Sequence, residues 1–464
     1  MATIETFQKR SHLDHPPGEV FAWHTRPGAL ERLTPPWSGV TVESQSGGVR
    51  DEGSTVVLRM PLGPFATRWV ATHHDFREGT SFRDEQTSGP FAYWNHLHRV
   101  EADGQGCILD DSIEYRLPMA PMSTLIASAP LRSMLESTFA WRHRRTREDL
   151  DAHARAALAP SRIAVTGASG MVGSQLCAFL GTGGHDVHAV VRRTTGKPNE
   201  ILWNPAQRSI DAAALEGMDA VVHLAGENIA AGRWSAESKK RILQSRTQGT
   251  ELLCRTLAGL ARPPRVLISA SAIGFYGDRG DLALDEDSAS GRGFLPEVCR
   301  QWEDATAAAS EAGIRVVNLR IGVVLSPLGG ALAQMLTPLR AGVGGTLGPG
   351  SQWMSWISLD DLLAAIVHGI ATPTLAGAVN ATAPQPATNR ELTKTLAAVL
   401  RRPALLCVPA FALRTLLGEM ADELLLASTR VLPRRLADTD FVFRDGQLHA
   451  ALADMLGRTT ILAA

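Results

Sequence analysis

The sequence predicts an α/β fold with a doubly wound parallel sheet that begins near residue 161 and follows a smaller α+β domain. Three observations support this fold class. A glycine-rich turn joins an apolar, strand-like run to a helix-like run within residues 163–180. Further apolar strands alternate with helical stretches after it. The first 150 residues instead contain short strand-like runs separated by glycine-rich turns, which is typical of an antiparallel sheet.

The glycine-rich turn has the spacing G-x-x-G-x-x-G. In a Rossmann-type fold the first glycine permits a tight bend, the second lets a pyrophosphate approach, and the third lets the helix lie close to its strand. The N–H groups at the start of the helix favour a phosphate at the same place. We therefore expect a dinucleotide to contact the turn residues, which are Gly167, Ala168, Ser169, Gly170, Met171, Val172 and Gly173.

The end of the next predicted strand, residues 186–191, distinguishes two cofactors. An NAD-specific protein places an acid there to bind the ribose 2′-hydroxyl. This chain has Arg192 and Arg193, whose guanidinium groups suit a 2′-phosphate and leave no carboxylate to repel it. The sequence therefore predicts NADP (NADPH) over NAD. The alternative is a basic pair at the surface without a ligand.

Two later strands complete the predicted cofactor site. Residues 218–223 form a buried strand, and the small-residue turn after it lets the backbone lie along the ribose and phosphates of a cofactor. The expected contacts at this turn are Leu224, Ala225, Gly226 and Glu227. The next buried strand, 265–269, ends at Ser269, which we also assign to cofactor binding.

These segments resemble a known family. The runs GASGMVG, HLAGEN and SASAIGFYG, then Trp302-Glu303 and residues 319–322 and 355–361, are similar to the extended short-chain dehydrogenase/reductases. The atypical "epimerase family" branch, also named after a cell-division inhibitor, is the most similar. The resemblance covers about residues 161–455, and the tail from about 404 resembles the small domain of unknown function that ends these proteins.

The resemblance also exposes a departure. The family moves a proton with a Tyr and a Lys four residues later, where the Lys lowers the pKa of the phenol and binds the nicotinamide ribose. Neither Tyr93, Tyr115 nor Tyr276, the three tyrosines of the chain, has a Lys at that spacing. Matching the helix around Trp302 to the family puts the pair near Leu295 and Cys299, so the standard dyad is absent.

Ser271 and Tyr276 are the predicted catalytic residues. The resemblance places Ser271 where the family has its substrate-positioning serine, and Tyr276 is the one phenol of the dinucleotide domain. Each has an alternative, because Ser271 could only hydrogen-bond the turn and Tyr276 could pack beneath a loop. Asp360-Asp361 opens a predicted helix, and we interpret it mainly as an N-cap.

The first 150 residues resemble the START-like helix-grip family of polyketide cyclases and coenzyme-Q-binding proteins. A helix near 17–25, an antiparallel sheet and a long helix over about 125–150 carry this resemblance, which implies an apolar ligand cavity. The alternative is that Trp69, Phe91 and Trp94 fill the core. His96 and His98 point to one face of a strand, but without a clear third ligand we predict no metal site. The charged run 142–149 is interpreted as a solvated helix face.

Composition limits the remaining possibilities. A chain of 464 residues suggests two or three domains, for which we predict boundaries at 1–150, a linker at 151–160, the dinucleotide domain at 161–403 and a C-terminal subdomain at 404–464. The net charge of −1 favours neither nucleic acid nor membrane surfaces as partners. With a polar N-terminus, no spanning segment and five scattered cysteines, we expect a cytoplasmic protein.

Two functions remain open on the sequence alone. The first is an NADP-dependent oxidoreductase or epimerase-like enzyme with a nonstandard proton donor, acting on a small apolar or aromatic carbonyl or alcohol. The second is a non-catalytic NADP-binding regulator or scaffold, whose N-terminal domain binds a hydrophobic ligand. The missing dyad disfavours nucleotide-sugar epimerisation, and the oligomeric state is left open.

Overall fold

The computed structural model describes residues 4–62, 65–118, 122–230 and 232–459. The chain divides into two compact units. The first unit contains the residues up to 155 together with 178–184, and the second contains 156–177 and 185–458.

The first unit contains an antiparallel sheet and three helices. The strands follow the order β1-β7-β6-β5-β4-β3-β2, so the first and last strands are neighbours. They are β1 (Glu5–Leu13), β2 (Thr41–Gln45), β3 (Thr55–Leu62), β4 (Phe65–Arg77), β5 (Ser81–Ser88), β6 (Tyr93–Asp103) and β7 (Gly106–Arg116). The helices are α1 (Pro17–Thr25), α2 (Ala29–Leu33) and α3 (Met122–Ala156). The predicted helix–sheet–helix order is confirmed. Strands β1 and β5 escaped prediction because each is mostly polar.

Aromatic side chains fill the space between α3 and the sheet. Phe7, Trp94 and Tyr115 from the strands pack with Leu135 and Phe139 from α3. Trp69 contacts both Trp94 and Phe91, with ring centroids 4.8 and 5.5 Å apart. Burial of each large apolar side chain contributes about 1.5–3 kcal/mol. These aromatic residues therefore hold the helix on the sheet, as the core-filling alternative expects.

The interpretation of residues 142–149 as a solvated face is wrong. His143, Arg145, Thr146 and Asp149 are buried. Asp149 accepts two hydrogen bonds from the buried guanidinium of Arg32, at 2.8 and 2.6 Å. The charges are tolerated inside because they are paired. Helix α3 also continues to Ala156, so the first six residues of the predicted linker are helical.

The second unit is built on the predicted parallel sheet. Eight strands of this unit form the large sheet, in the order β11-β10-β9-β8-β12-β13-β15-β20. All neighbours in this sheet are parallel except β10 and β11. The strands are β8 (Arg162–Thr166), β9 (Asp186–Val191), β10 (Glu200–Asn204), β11 (Ser209–Ile210), β12 (Ala220–His223), β13 (Val266–Ala272), β14 (Ala283–Leu284), β15 (Arg315–Ile321), β16 (Val323–Leu325), β17 (Gly345–Leu347), β18 (Trp353–Met354), β19 (Trp356–Ser358), β20 (Gly377–Ala381), β21 (Ala387–Thr388), β22 (Leu406–Val408) and β23 (Arg430–Val431). Those outside the large sheet form short pairs.

Helices alternate with these strands, which is the doubly wound pattern. They are α4 (Met171–Thr182), α5 (Ala212–Leu215), α6 (Ala236–Ala258), α7 (Phe294–Asp304), α8 (Ala307–Glu311), α9 (Gly330–Arg340), α10 (Leu359–Ala371), α11 (Asn389–Leu400), α12 (Ala410–Leu417), α13 (Arg434–Asp438) and α14 (Leu448–Met455). The last of them shares one apolar core with α9 and α11. Across the described ranges, every helix is too short or too polar to cross a bilayer.

Candidate functional site

The glycine turn between β8 and α4 contains glycines of two kinds. Gly167 has φ +70°, and a Cβ there would lie 2.9 Å from the Leu224 backbone. A Cβ on Gly173 would overlap the Gly167 carbonyl oxygen. Gly170 differs, because its Cβ would meet a single described atom within 4 Å, the same carbonyl oxygen at 3.3 Å. The fold therefore requires Gly167 and Gly173, whereas a Cβ at Gly170 would have one tight contact and would otherwise project into space that a ligand can occupy.

Thr166, the last residue of β8, supports the neighbouring turn that follows β12. Its hydroxyl oxygen accepts hydrogen bonds from the backbone N–H groups of Leu224 and Ala225, at 3.1 and 3.2 Å. The same hydroxyl lies 2.8 Å from His223 Nδ1. Thr166 and His223 are paired across the two strands. The Thr166 hydroxyl therefore holds the backbone of the predicted cofactor turn at Leu224 and Ala225 in place.

His223 continues this polar chain into the core. Thr250 donates to the Arg246 carbonyl at 2.6 Å, so its oxygen accepts from His223 Nε2 and from Trp302 Nε1, both at 3.0 Å. Burial lowers the pKa of His223 to about 4, so the ring is neutral. With its proton on Nε2, His223 accepts the Thr166 hydroxyl through Nδ1. Each polar side-chain atom of Thr166, His223 and Thr250 therefore has a hydrogen-bond partner.

The other predicted cofactor residues differ in exposure. Gly226 is exposed, and Glu227 is half-buried, with its carboxylate 3.2 Å from Arg241 Nε. Arg246 donates to the Glu227 carbonyl at 3.1 Å and lies over the Trp302 ring. Ser269 is completely buried, and its hydroxyl has no hydrogen bond to a described residue.

Arg192 and Arg193 are exposed and follow β9 directly. Strands β8 and β9 are parallel neighbours, and Thr166 pairs with Val190. The basic pair and the glycine turn therefore leave the sheet at the same edge. Neither guanidinium forms an ion pair or hydrogen bond with the residues that the structure describes, so both are available to an anion. Contact with a cofactor stays a prediction for all of these residues.

Ser271 and Arg320 belong to a buried network at the carboxyl ends of adjacent strands. Both residues are paired across β13 and β15. Arg320 donates two hydrogen bonds to the Glu303 carboxylate, at 2.8 Å each, and Ser271 donates to the same carboxylate at 2.7 Å. This bidentate ion pair joins the sheet to α7. The Ser271 hydroxyl is therefore committed to Glu303.

Tyr276 closes the same network. Its hydroxyl donates to Asn380 Oδ1 at 2.7 Å and accepts from Arg320 Nη1 at 3.0 Å. The side chain has no exposed surface, and burial raises the pKa of its phenol. The hydroxyls of Tyr276 and Ser271 are therefore both buried and hydrogen-bonded within the protein. Ser271 bonds to α7 and not to the turn, which differs from its alternative, whereas the burial of Tyr276 agrees with packing beneath a loop. The catalytic role of both residues stays a prediction.

The positions matched to the family dyad are apolar and buried. Leu295 and Cys299 both face the loop that contains Gly274, at 3.3 and 3.6 Å from the position of a Cβ there. Burial raises the pKa of the Cys299 thiol to about 12. The structure therefore agrees with the sequence that no Tyr–Lys pair operates at this place.

Comparison with known proteins identifies the chain. Three family models match it: NAD dependent epimerase/dehydratase at residues 163–380, a domain of unknown function at 408–455, and polyketide cyclase/dehydrase and lipid transport at 13–139. An epimerase family protein of Mycobacterium bovis is 42% identical over 305 residues, which are 65% of this chain and 99% of that protein. The chain belongs to the epimerase family.

Two solved structures of similar proteins extend this result. A nucleoside-diphosphate sugar epimerase from Corynebacterium glutamicum is 35% identical, with a TM-score of 0.80, and the match covers 98% of this chain and 91% of that one. The human epimerase family protein SDR39U1, solved with NADPH, is 33% identical with a TM-score of 0.60 over 64% of this chain and 99% of its own. The predicted resemblances of both parts of the chain are confirmed.

In this epimerase family protein, Asp360 and Asp361 do not cap α10 as predicted. The N-cap is Ser358, whose hydroxyl accepts from the Asp361 N–H at 3.0 Å. The buried Asp361 carboxylate instead accepts the backbone N–H groups of Arg444 and Asp445, at 2.9 Å each. Burial and the charge of Asp445 raise the pKa of Asp361 to about 7. Asp361 therefore anchors the C-terminal segment.

The prediction of no metal site in the first unit depended on the lack of a third ligand, and that premise is wrong. A third group lies beside His96 and His98, because Asp84 from the neighbouring strand is within reach of both rings. Burial alone would lower the pKa of His98, but the ion pairs with Asp111 and Asp84 raise it to about 9. The pKa of Asp84 is held well below its usual range, because the adjacent histidines outweigh its burial.

Sequence reasoning missed Glu303, Asn380, Asp84 and Asp111. Glu303 had a signal, since Trp302-Glu303 is part of the family resemblance. Asp84 lies in β5, which was not predicted as a strand because most of its residues are polar. Asn380 and Asp111 are positioned by strand pairing that no local pattern reveals.

Proposed function

We propose that this epimerase family protein binds NADPH at the turn between β8 and α4. The observation that carries the proposal is the space at Gly170, where a Cβ would lie within 4 Å of one described atom beyond its chain neighbours but would occupy the approach of a pyrophosphate. Bound NADPH supplies a hydride donor. Gly170 and the start of α4 would hold the pyrophosphate, and the turn 224–226 would lie along the ribose and phosphates.

The exposed guanidinium groups of Arg192 and Arg193 support NADPH over NADH. They have no described partner at the strand end where the 2′-substituent of a bound cofactor lies. The human relative solved with NADPH supports the same choice. Two charge-assisted hydrogen bonds to a 2′-phosphate contribute roughly 1.5–3 kcal/mol each, so a clear preference is expected.

The Gly170→Ala variant tests the site. We expect a modest loss of thermal stability, because the new Cβ would lie 3.3 Å from the Gly167 carbonyl oxygen, a tight contact. The affinity for NADPH, measured by fluorescence titration, should fall by about tenfold or more. The matched control is Gly259→Ala, where a Cβ makes ordinary contacts at 3.6 Å near the end of α6. Unchanged NADPH affinity in the folded Gly170→Ala variant would overturn the proposed site.

The Arg192→Asp variant tests the choice of cofactor. We expect the ratio of NADPH to NADH affinity to fall by roughly tenfold to a hundredfold, which corresponds to about 1.4–3 kcal/mol. Arg255→Asp is the control, since Arg255 is also an exposed arginine and lies on α6. An equal ratio in wild type and Arg192→Asp would contradict the assignment of the 2′-phosphate.

A second candidate function is reduction of a small apolar carbonyl compound. One observation favours it: the Arg246 guanidinium lies beside the predicted cofactor turn, where a Cβ on Gly226 would be 3.5 Å from its central carbon. Arg246 would supply, from α6, the positive charge that the missing Lys gives to the family. Single-turnover oxidation of NADPH against a panel of aromatic and aliphatic carbonyls tests this function. Tight binding without turnover across the panel would favour the regulator instead.

A further inference from the structure

The sheet of the first unit brings four ionisable side chains to one face. His96 and His98 are two residues apart on β6, so both rings project from the same face of the sheet. Asp84 on β5 is directly opposite His96, and Asp111 on β7 is directly opposite His98. Directly opposite residues of antiparallel strands have Cβ atoms about 4.5–5.5 Å apart. The pairing therefore forces two rings and two carboxylates together.

Three ligand atoms of this cluster converge. Asp84 Oδ2 lies 3.1 Å from His96 Nδ1 and 3.1 Å from His98 Nε2. In a tetrahedral zinc site with bonds of 2.0–2.1 Å, neighbouring ligand atoms are about 3.3 Å apart. The Asp84, His96 and His98 ligand atoms all lie within 4.8 Å of one another. One ion can therefore contact all three with little movement.

Asp111 occupies the opposite side of both rings. Its Oδ1 lies 3.0 Å from His96 Nε2 and 2.7 Å from His98 Nδ1. Its other oxygen, Oδ2, is 2.7 Å from His143 Nε2 on α3, and His143 Nδ1 is 2.9 Å from the Ser11 hydroxyl. Histidines that bind metal usually present their second nitrogen to a carboxylate, which fixes the tautomer and the ring orientation.

One ring nitrogen of the cluster has no hydrogen bond to a described residue, and it lies on the side of His98 that faces Asp111. Although His98 Nδ1 is close to Asp111, the N–H direction does not meet the oxygen, and this buried nitrogen has no hydrogen bond among the described residues. The ring is oriented toward Asp84 instead. The side chains of Asp84 and His98 are 17% and 12% exposed, whereas those of His96, Asp111 and His143 are almost completely buried. An ion therefore has a route from solvent to the Asp84 side.

We propose that Asp84, His96 and His98 bind a divalent transition metal ion of the zinc class, with Asp111 and His143 orienting the two rings. Two imidazole nitrogens and one carboxylate oxygen suit Zn²⁺, Fe²⁺ or Co²⁺ better than Mg²⁺ or Ca²⁺, which prefer oxygen. Three protein ligands leave one position of a tetrahedral ion for water or a small ligand. The site belongs to the first unit and does not depend on NADPH binding.

The test uses the full chain, stripped with a chelator and then dialysed against ZnCl₂. We expect one zinc per chain by elemental analysis, and Co²⁺ loading should give the visible absorption of a four-coordinate ion with nitrogen ligands. Asp84→Asn and His96→Gln should weaken zinc binding by at least about tenfold, and Asp111→Asn by roughly 10–100-fold. His12→Ala is the matched control, because His12 also lies near two acidic residues of this unit but is exposed.

Three results would overturn the proposal. They are substoichiometric zinc in the wild type, a Co²⁺ spectrum without nitrogen ligands, and folded Asp84→Asn that binds zinc as tightly as His12→Ala. If His96→Gln fails to fold by circular dichroism, the near-isosteric Asp84→Asn and the wild-type Co²⁺ spectrum decide the question.

Discussion

The two units of this protein each bury a charged cluster, and the clusters differ in how their polar atoms are used. In the second unit, Arg320 and Glu303 face each other through two parallel hydrogen bonds, and the hydroxyls of Ser271 and Tyr276 fill most of the remaining positions. In the first unit, two rings and two carboxylates meet with one ring nitrogen left without a hydrogen bond.

This difference separates a structural cluster from a binding cluster. A buried charge whose hydrogen bonds are satisfied within the protein fixes the positions of the elements it joins. In the first unit, the Asp84 carboxylate and one nitrogen each of His96 and His98 converge on one point, where an ion can replace the hydrogen bonds that join them. The catalytic role of Ser271 and Tyr276 stays a prediction, while the histidines on β6 become candidates for a function.

The largest expected effect is in the second unit. Arg320→Ala leaves the Glu303 carboxylate buried without its cation, and breaking such a pair costs about 3–5 kcal/mol. Equilibrium urea unfolding, followed by fluorescence, measures this loss. Arg300→Ala is the control, because that arginine pairs with Glu297 at the exposed surface, and we expect no measurable change. If Arg320→Ala were as stable as Arg300→Ala, the buried Arg320–Glu303 pair would not have the structural role assigned to it.

A smaller effect is expected for Tyr276→Phe. The ring stays, but Asn380 Oδ1 and Arg320 Nη1 each lose a buried partner, at a cost of about 1–3 kcal/mol. If Tyr276 only positions its neighbours, NADPH affinity should be unchanged in the same variant. A loss of turnover without a loss of stability would instead restore the direct catalytic role.

The smallest effect, measured over one pH unit, concerns a buried carboxylate whose direct partners are backbone N–H groups. Because the folded-state pKa of Asp361 is raised from 3.8 to about 7, the folded state holds its proton more tightly than the unfolded state. Stability should therefore fall as pH rises from about 4 to about 7, by less than about 1.4 kcal/mol per pH unit. Thermal unfolding against pH should show a shallower slope for Asp361→Asn, and an unchanged slope for Asp304→Asn on the surface of α7.

Local patterns were sufficient for much of the fold. The turn from Gly167 to Gly173 predicts its own strand and helix, because Gly167 and Gly173 have steric reasons and Gly170 has a binding reason, all of which follow from their spacing. The long helix α3 and the alternating elements of the second unit follow from periodicity in the same way. Strands β1 and β5 were missed because polar residues occupy most positions on both of their faces. The usual alternation of apolar and polar residues is therefore not visible in their sequences.

The buried polar groups could not be assigned in this way. Residues 142–149 look solvated in sequence, but one side of α3 is buried, where Asp149 pairs with Arg32 on α2 and His143 pairs with Asp111 on β7. Asp361 looks like an N-cap in sequence, but Ser358 is the N-cap of α10. The Asp361 carboxylate accepts backbone hydrogen bonds from residues 444 and 445 instead. In both cases the partner lies more than 30 residues away in the chain.

The sequence by itself determined the two fold classes, the family and the residues expected to hold NADPH, because these depend on spacing within short segments. Tertiary structure alone decided which charged side chains are buried and what each one faces. Strand register puts Ser271, Arg320 and Asn380 in one row, and Asp84 opposite His96. Register is set by packing across the whole sheet, so neighbours in the chain carry no record of it.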